Sequence, residues 1–246
     1  MVEIRRPGEN PVADDDRRPW EKYWDATLRG KSFLRNDAQM NHPSRFFIAD
    51  AAAKYDTVLE CGCATAIDYP YHVERGTKYT GIDITVKFKA MAEELYPDIN
   101  FRTASLLDLS LFPDRSIDTV YERAVFEHMH PLEWPLGARE MWRVADKQML
   151  LAFFGRSIGA HPRRKPVLER MADESDKDTA KRRAERAHAI PQAIVEKIYD
   201  ADIVAVIEDL PGEKTWKMDK VLGIPVPGKI RRRGKPYYIY TVTRVD

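Results

Sequence analysis

Thr57-Val58-Leu59-Glu60-Cys61-Gly62-Cys63-Ala64-Thr65-Ala66 is the stretch around which the rest of the chain is organised. A short apolar run ends on a carboxylate and turns at once through small residues. Such a pattern marks a buried parallel strand handing over to a loop that passes close under a ligand. Small side chains let backbone N–H groups approach that ligand without a Cβ in the way. Downstream, Gly81-Ile82-Asp83-Ile84-Thr85 is a second apolar run ending on a carboxylate, and Asp83 lies 23 residues after Glu60. That is about one strand–helix–strand unit, with an acidic group poised for a ribose.

Outward from this stretch, alternating strands and helices are expected. Pro43 to Lys54 is Ala-rich and predicts the helix before the first strand. Ile67 to Arg75 reads as a short helix stopped by Gly76, Lys78 to Ile84 as the second strand, and Phe88 to Tyr96 as a helix ended by Pro97. Ile99 to Thr103 and Ile117 to Tyr121 follow as strands three and four. Ala124 to His130 should begin a helix, Leu136 to Val144 form one, and Gln148 to Phe154 a strand buried on both faces. In the second half, Pro191 to Asp200 predicts a helix, Ile203 to Ile207 a strand, Trp216 to Lys235 an irregular basic segment, and Tyr237 to Val245 a closing strand.

This alternation implies an α/β fold, a mostly parallel, seven-stranded Rossmann-like sheet with helices on both faces and an antiparallel last strand. Sites on such sheets lie beyond the carboxyl ends of the strands. Glu60, Asp83, Ser105 and Tyr121-Glu122 all fall there and should converge on one crevice.

Composition narrows the functional classes. The chain has 246 residues, 43% hydrophobic and 10% aromatic, which suits one large α/β domain and argues against wholesale disorder. A formal net charge of +1 gives no global field for nucleic acid or anionic membrane. The only cysteines, Cys61 and Cys63, are too close for an ordinary structural disulfide, and no Cys or His pairs complete a metal site. No signal peptide or run of membrane-spanning length is visible, so a reducing, cytoplasmic setting is expected.

Residues 1–18 read as a flexible arm and 19–246 as a single domain. Within it, 19–46 is expected to form a helical cap, its stripe of Trp20, Tyr23 and Trp24 read as packing before ligand wall. The charged stretch 157–187 interrupts the rhythm and is long for a plain loop. Cap and insertion are the expected substrate lid.

Together, Leu59-Glu60-Cys61-Gly62-Cys63, Gly81-Ile82-Asp83-Ile84-Thr85, and the run Leu111 to Tyr121 followed by Phe126-Glu127-His128 resemble class I S-adenosylmethionine-dependent methyltransferases. The flavour is that of the small-molecule group that includes quinone-biosynthesis enzymes. The match covers residues 55–154 well and 188–209 loosely. The resemblance implies S-adenosyl-L-methionine as cofactor and a small-molecule acceptor. It gives Glu60 and the backbone of Gly62, Cys63 and Ala64 to the methionine end, Asp83 to the ribose hydroxyls, and Ile84 and Leu106 to the adenine. Ser105 stands where the family often has Asp, and Glu122 joins the cofactor set. Ala64 and Ala66 occupy positions usually glycine, so a positive φ there would be strained.

Because the sulfonium already activates the methyl group, the protein mainly aligns a nucleophile. His128 is the candidate base, with Glu127 beside it; a helix would turn only one of them toward the crevice. A packing or capping role for His128 stands against this. His161 and His188 read as surface residues. The run Lys229 to Lys235 could grip nucleic acid, but its neighbouring tyrosines lie in an alternating strand, so RNA or protein as acceptor is an alternative, not the favoured reading. A non-catalytic scaffold on this fold is the third.

Overall fold

The structure, a computed structural model, describes residues 43–154, 167–173, 200–212, 215–224 and 237–245. The arm at 1–18, most of the cap, most of the insertion, His161, His188, the predicted helix before Asp200 and the basic runs lie outside the described residues.

Helix α1 (Pro43–Ala52) leads into β1 (Thr57–Cys61), then α2 (Tyr69–Val73), β2 (Lys78–Asp83), α3 (Val86–Leu95), β3 (Asn100–Thr103) and β4 (Ile117–Arg123). Two 3-10 turns, Phe126–His128 and Pro131–Glu133, precede α4 (Trp134–Val144) and β5 (Ala145–Phe154). Then come α5 (Val167–Ala172), α6 (Asp200–Glu208), β6 (Trp216–Ile224) and β7 (Tyr237–Arg244). The seven strands form one sheet in the order β3-β2-β1-β4-β5-β7-β6. β1 to β5 pair in parallel, and β7 enters antiparallel between β5 and β6.

Each face of the sheet carries its own core. On one, Val58, Tyr79, Tyr121, Leu150 and Ile239 pack under Ile48 and Ala52 of α1 and Phe88 and Ala92 of α3. On the other, Leu59, Cys61, Ile82, Val120, Met149 and Leu151 pack against Trp134, Ala138, Met141 and Trp142 of α4 and Ile203 and Val206 of α6. Cys61 and Cys63 fall in different clusters, so the two thiols are separated. Among the described residues, no helix is long and apolar enough to cross a membrane.

Three expectations are corrected. Ile203–Ile207 is helical, not a strand: Ile203, Val206, Ile207 and Leu210 are buried, the i, i+3, i+4, i+7 spacing of a helix face. The sixth strand is Trp216–Ile224, inside the segment read as irregular; its Lys217 and Asp219 alternate outward, exposed, with half-buried Trp216 and Met218 between them. Finally, the expected helix from Ala124 is only the 3-10 turn Phe126–His128, because Ala124 adopts φ 63 and Glu122 ties down the N–H groups that follow.

Candidate active site

Parallel pairing brings the carboxyl ends of β1, β2 and β4 together. Glu60 is opposite Gly81 on one side and Tyr121 on the other. Asp83, two residues beyond Gly81, therefore projects to the same face as Glu60. The loop after β1 closes over this end: Gly62 and Cys63 donate their N–H groups to the Ile82 carbonyl at 2.8 and 2.9 Å. Ala64 donates to Asp83 Oδ2 at 3.0 Å, and Thr85 donates to Oδ1 at 2.8 Å. The loop turns through three left-handed residues, Gly62 (φ 73), Ala64 (φ 49) and Ala66 (φ 54). Two of them bear a Cβ in a region that favours glycine, which costs roughly 1–2 kcal/mol each.

Asp83 is buried, and desolvation raises its carboxyl to about 6 against the pull of the Thr85 and Ala64 N–H groups. Its remaining lone pairs give it further acceptor capacity. At the end of β3, the Ala104 N–H donates to the Asp83 carbonyl at 3.1 Å, which sets Ser105 and Leu106 beside Asp83 and half-buried Ile84. Ser105 Oγ accepts the Leu107 N–H at 3.2 Å, closing a tight turn, and Leu106 is buried. Of the predicted cofactor set, the fold therefore gathers Glu60, Gly62, Cys63, Ala64, Asp83, Ile84, Ser105 and Leu106 at the ends of three neighbouring strands.

Glu122, expected in the same set, takes the opposite face of the sheet from Glu60, because it lies opposite Cys61 in the register. Its Oε2 accepts the N–H groups of Val125 (2.8 Å) and Phe126 (3.3 Å), and its Oε1 that of Ala152 (3.0 Å). Burial pushes its carboxyl up to about 8 despite these three donors. It fastens the end of β4 to β5 rather than facing a ligand beside Glu60.

Sequence reasoning missed a network around Glu60. Tyr79 on β2 donates its hydroxyl to Glu60 Oε2. The Tyr121 hydroxyl is 3.4 Å from Asp68 Oδ2 and 3.1 Å from His72 Nε2. Asp68, just before α2, is paired with the buried Arg45 of α1 and with Arg123 at the end of β4, whose Nε is 3.0 Å away. Arg45, Glu60, Asp68, His72, Tyr79 and Tyr121 are all buried. Burial, with Arg75 nearby, holds His72 down to about 4, so its imidazole is neutral. Burial and then Arg123 lower Arg45 to about 10. Burial also raises Glu60 above the usual carboxylate range, opposed by Arg123, the Tyr79 hydrogen bond and Arg45. The available signal was an arginine on the inward face of an Ala-rich helix and a tyrosine in each strand beside β1, Tyr121 opposite Glu60 and Tyr79 opposite Val58.

Past β4, Glu127 is buried and His128 half-buried in their 3-10 turn. Burial lowers the His128 pKa, leaving a neutral imidazole able to accept a proton. His130 has a structural part: its Nδ1 accepts the Leu132 N–H at 3.3 Å while Glu133 Oε2 accepts the His130 N–H at 3.1 Å. A hollow of about 700 Å³ opens beside α4, between Leu107, Phe112, Leu136 and Arg143; none of the predicted site residues lines it.

A doubly wound sheet in the order 3-2-1-4-5-7-6, with carboxylates at the ends of its first two strands, makes the fold Rossmann-like. Residues 59–153 match a family described as a methyltransferase domain. The fold is shared with magnesium protoporphyrin IX methyltransferase from Synechocystis PCC 6803, solved with its methyl donor bound (15% identity, 96% of this chain and 100% of that one, TM-score 0.60). It is shared as well with 1,6-didemethyltoxoflavin-N1-methyltransferase from Burkholderia thailandensis (13% identity, 100% and 98% coverage, TM-score 0.59). A third similar structure is a methyltransferase from Archaeoglobus fulgidus (12% identity, 89% and 99% coverage, TM-score 0.58). No curated protein matches in sequence. The narrower resemblance to quinone-biosynthesis enzymes is not specifically supported by these matches.

Proposed function

We propose that this enzyme methylates a small-molecule acceptor at O, N or C, with its donor held across the ends of β1, β2 and β3. The observation that carries the donor site is the Ala64 N–H bond to Asp83, which joins the small-residue loop to the second strand's carboxylate. The residues suit a nucleoside with an amino-acid tail. Buried Asp83 retains acceptor capacity for two ribose hydroxyls, buried Glu60 is a partner for an ammonium group, and Ile84 and Leu106 offer apolar surface to a base. Gly62, Cys63 and Ala64 would present backbone to the methionine end, and Ser105 would accept or donate one neutral hydrogen bond near the adenine.

When bound, S-adenosylmethionine supplies a methyl group already activated on a sulfonium. The chain's task is to align the acceptor, exclude water and, where the acceptor carries a proton, remove it. Neutral His128 is the residue we assign to that removal, with Glu127 beside it. The small-molecule character of the acceptor is supported by the porphyrin and toxoflavin enzymes that share the fold. The segments at 19–46 and 157–187 would form the lid that selects it.

Titration calorimetry with the donor and its demethylated product, followed by a methyl-transfer screen against metabolite pools, tests this. Donor binding abolished or strongly weakened by Asp83→Ala is expected; unchanged binding would remove Asp83 from the site. His128→Ala should reduce turnover of a proton-bearing acceptor by roughly 100-fold while leaving donor affinity within about two-fold.

A further inference from the structure

We infer that Tyr79 is a positioning residue for the methyl donor: its phenol reaches over Gly81 and fixes the Glu60 carboxyl in the orientation that meets the donor's amino-acid end. This rests on the reading of Glu60 as a donor-binding group.

The geometry starts with register. Val58 faces Tyr79 and Glu60 faces Gly81, so Tyr79, Gly81 and Glu60 share one face of the sheet. A Cβ on Gly81 would stand 3.0 Å from Tyr79 Oη and 2.8 Å from Cys63 Sγ. Only a residue without a side chain leaves the phenol its path to Glu60 Oε2. The ring itself is boxed in. Tyr69 packs edge-on at 5.5 Å and His72 lies 5.5 Å away on tilted planes, while Tyr79 is 6% exposed. Burial, followed by the nearby Glu60 carboxylate, pushes the phenol well above its usual pKa, so it keeps its proton and donates at every working pH.

Glu60 needs such a tether because its neighbours pull it elsewhere. Arg123 of β4 and Arg45 of α1 both attract its charge. A carboxylate free to rotate would collapse toward those guanidiniums and away from an incoming ammonium group. A single charge-assisted hydrogen bond from an immobile ring resists that rotation. Here Tyr79 acts through Glu60 and not on the donor itself.

The test uses the full-length protein, with S-adenosylhomocysteine as the probe, titrated from pH 5 to 9. Wild type is compared with Tyr79→Phe, Glu60→Gln and the double variant. Tyr79→Phe keeps the ring contacts, so its affinity should fall roughly ten-fold, the effect of losing one useful hydrogen bond. Its low-pH limb should move to higher pH, because the carboxylate has lost a bond that favours its charged form. The charged and titratable groups around Glu60 are Arg45 from α1, Cys61 from the end of β1, Cys63 from the loop after it, Tyr79 and Asp83 from β2, and Tyr121 and Arg123 from β4. Asp83 titrates in the same range, but it does so in both proteins, so the shift between their limbs reports Glu60.

The double variant should bind no more weakly than Glu60→Gln alone. Additive losses, or Tyr79→Phe matching wild type while Glu60→Gln binds weakly, would overturn the role of Tyr79 and leave Glu60 in place. Wild-type binding by Glu60→Gln would overturn both, and the fault would lie with Glu60. Should Tyr79→Phe fail to fold, Gly81→Ala crowds the same path; wild-type affinity in that variant refutes the inference, and a loss with a shifted limb supports it.

Discussion

Two buried glutamates sit one register position apart on neighbouring strands and are held in opposite ways. Glu122 of β4 faces the core under α4, and its carboxylate takes three backbone N–H groups from Val125, Phe126 and Ala152. Glu60 of β1 faces the other side and is surrounded by side chains: the Tyr79 phenol, Tyr121, Arg45 and Arg123. Backbone donors cannot move away without undoing the turn they belong to, so Glu122 is part of the fold. The boxed-in Tyr79 phenol holds Glu60 in place, while the guanidiniums of Arg45 and Arg123 belong to no turn, so the carboxylate can exchange their attraction for a ligand. Burial is common to both. What separates them is who donates.

The comparison is sharpest in stability. Glu122→Ala strands three backbone N–H groups, two of them in buried bonds, and loosens the turn at Ala124, which already sits at φ 63. A loss of about 3–5 kcal/mol is expected, since each buried donor left without its acceptor costs about 1–3 kcal/mol. For a domain this size that lowers the melting temperature by on the order of ten degrees. Glu60→Gln should cost about 1 kcal/mol, since Gln still accepts from Tyr79. Denaturant unfolding of the two variants side by side would break the contrast if Glu60→Gln proved the more destabilised.

Asp83 lies between the two types, with two backbone N–H donors and, in the reading above, a ribose. Asp83→Ala should weaken donor affinity about 100-fold, roughly 3 kcal/mol, while lowering stability by only about 1–2 kcal/mol. Calorimetry and thermal melts on one preparation separate the two effects. Affinity lost in proportion to stability would place Asp83 with Glu122.

The third effect is on pH. A carboxyl raised to about 6 must ionise before it accepts from both hydroxyls of a diol, so donor affinity should fall as pH drops through about 6. For folding, the sign is opposite. A raised carboxyl pKa contributes stability below its unfolded value near 4, and that contribution is lost as pH rises through about 6. The ligand-free protein thus loses this contribution over the range in which donor binding strengthens. Melting curves with and without donor between pH 4 and 8 should diverge, and parallel curves would contradict the assignment.

What could be read from the chain follows the same division. β1, β2, β4 and β5 were legible because continuous apolar runs ending in Glu60, Asp83 and Tyr121-Glu122 have one sensible reading in a parallel sheet. Ile203–Ile207 was not: five apolar residues suit a buried strand or a helix face, and only extension to Leu210 exposes the helical period. Trp216–Ile224 was hidden by charge, since the lysines on an edge strand resemble a basic loop. At the site, strand-end carboxylates could be picked out singly, but the face each one takes could not. Glu122 was grouped with Glu60 because both end strands, and the register that turns them apart is a property of the assembled sheet. Arg45, Asp68, His72, Tyr79 and Arg123 come from α1, the β1–α2 region, β2 and β4, and no local pattern links them.

The smallest effect tests how far the loop has adapted to alanine. Ala64 and Ala66 both hold left-handed φ, so glycine at either should relieve strain, offset by the greater freedom it gives the unfolded chain. At half-buried Ala64 the relief should dominate, with a gain of about 0.5–1 kcal/mol and a melting temperature a few degrees higher. Ala66 is fully buried, so losing its methyl costs a similar amount, and the net change should be near zero. Donor affinity should stay within about two-fold in Ala64→Gly, because the N–H that meets Asp83 is already in place. A gain of ten-fold or more would mean that the Ala64 methyl occupies space the donor needs, and would move this loop from the fixed side of the comparison to the adjustable one.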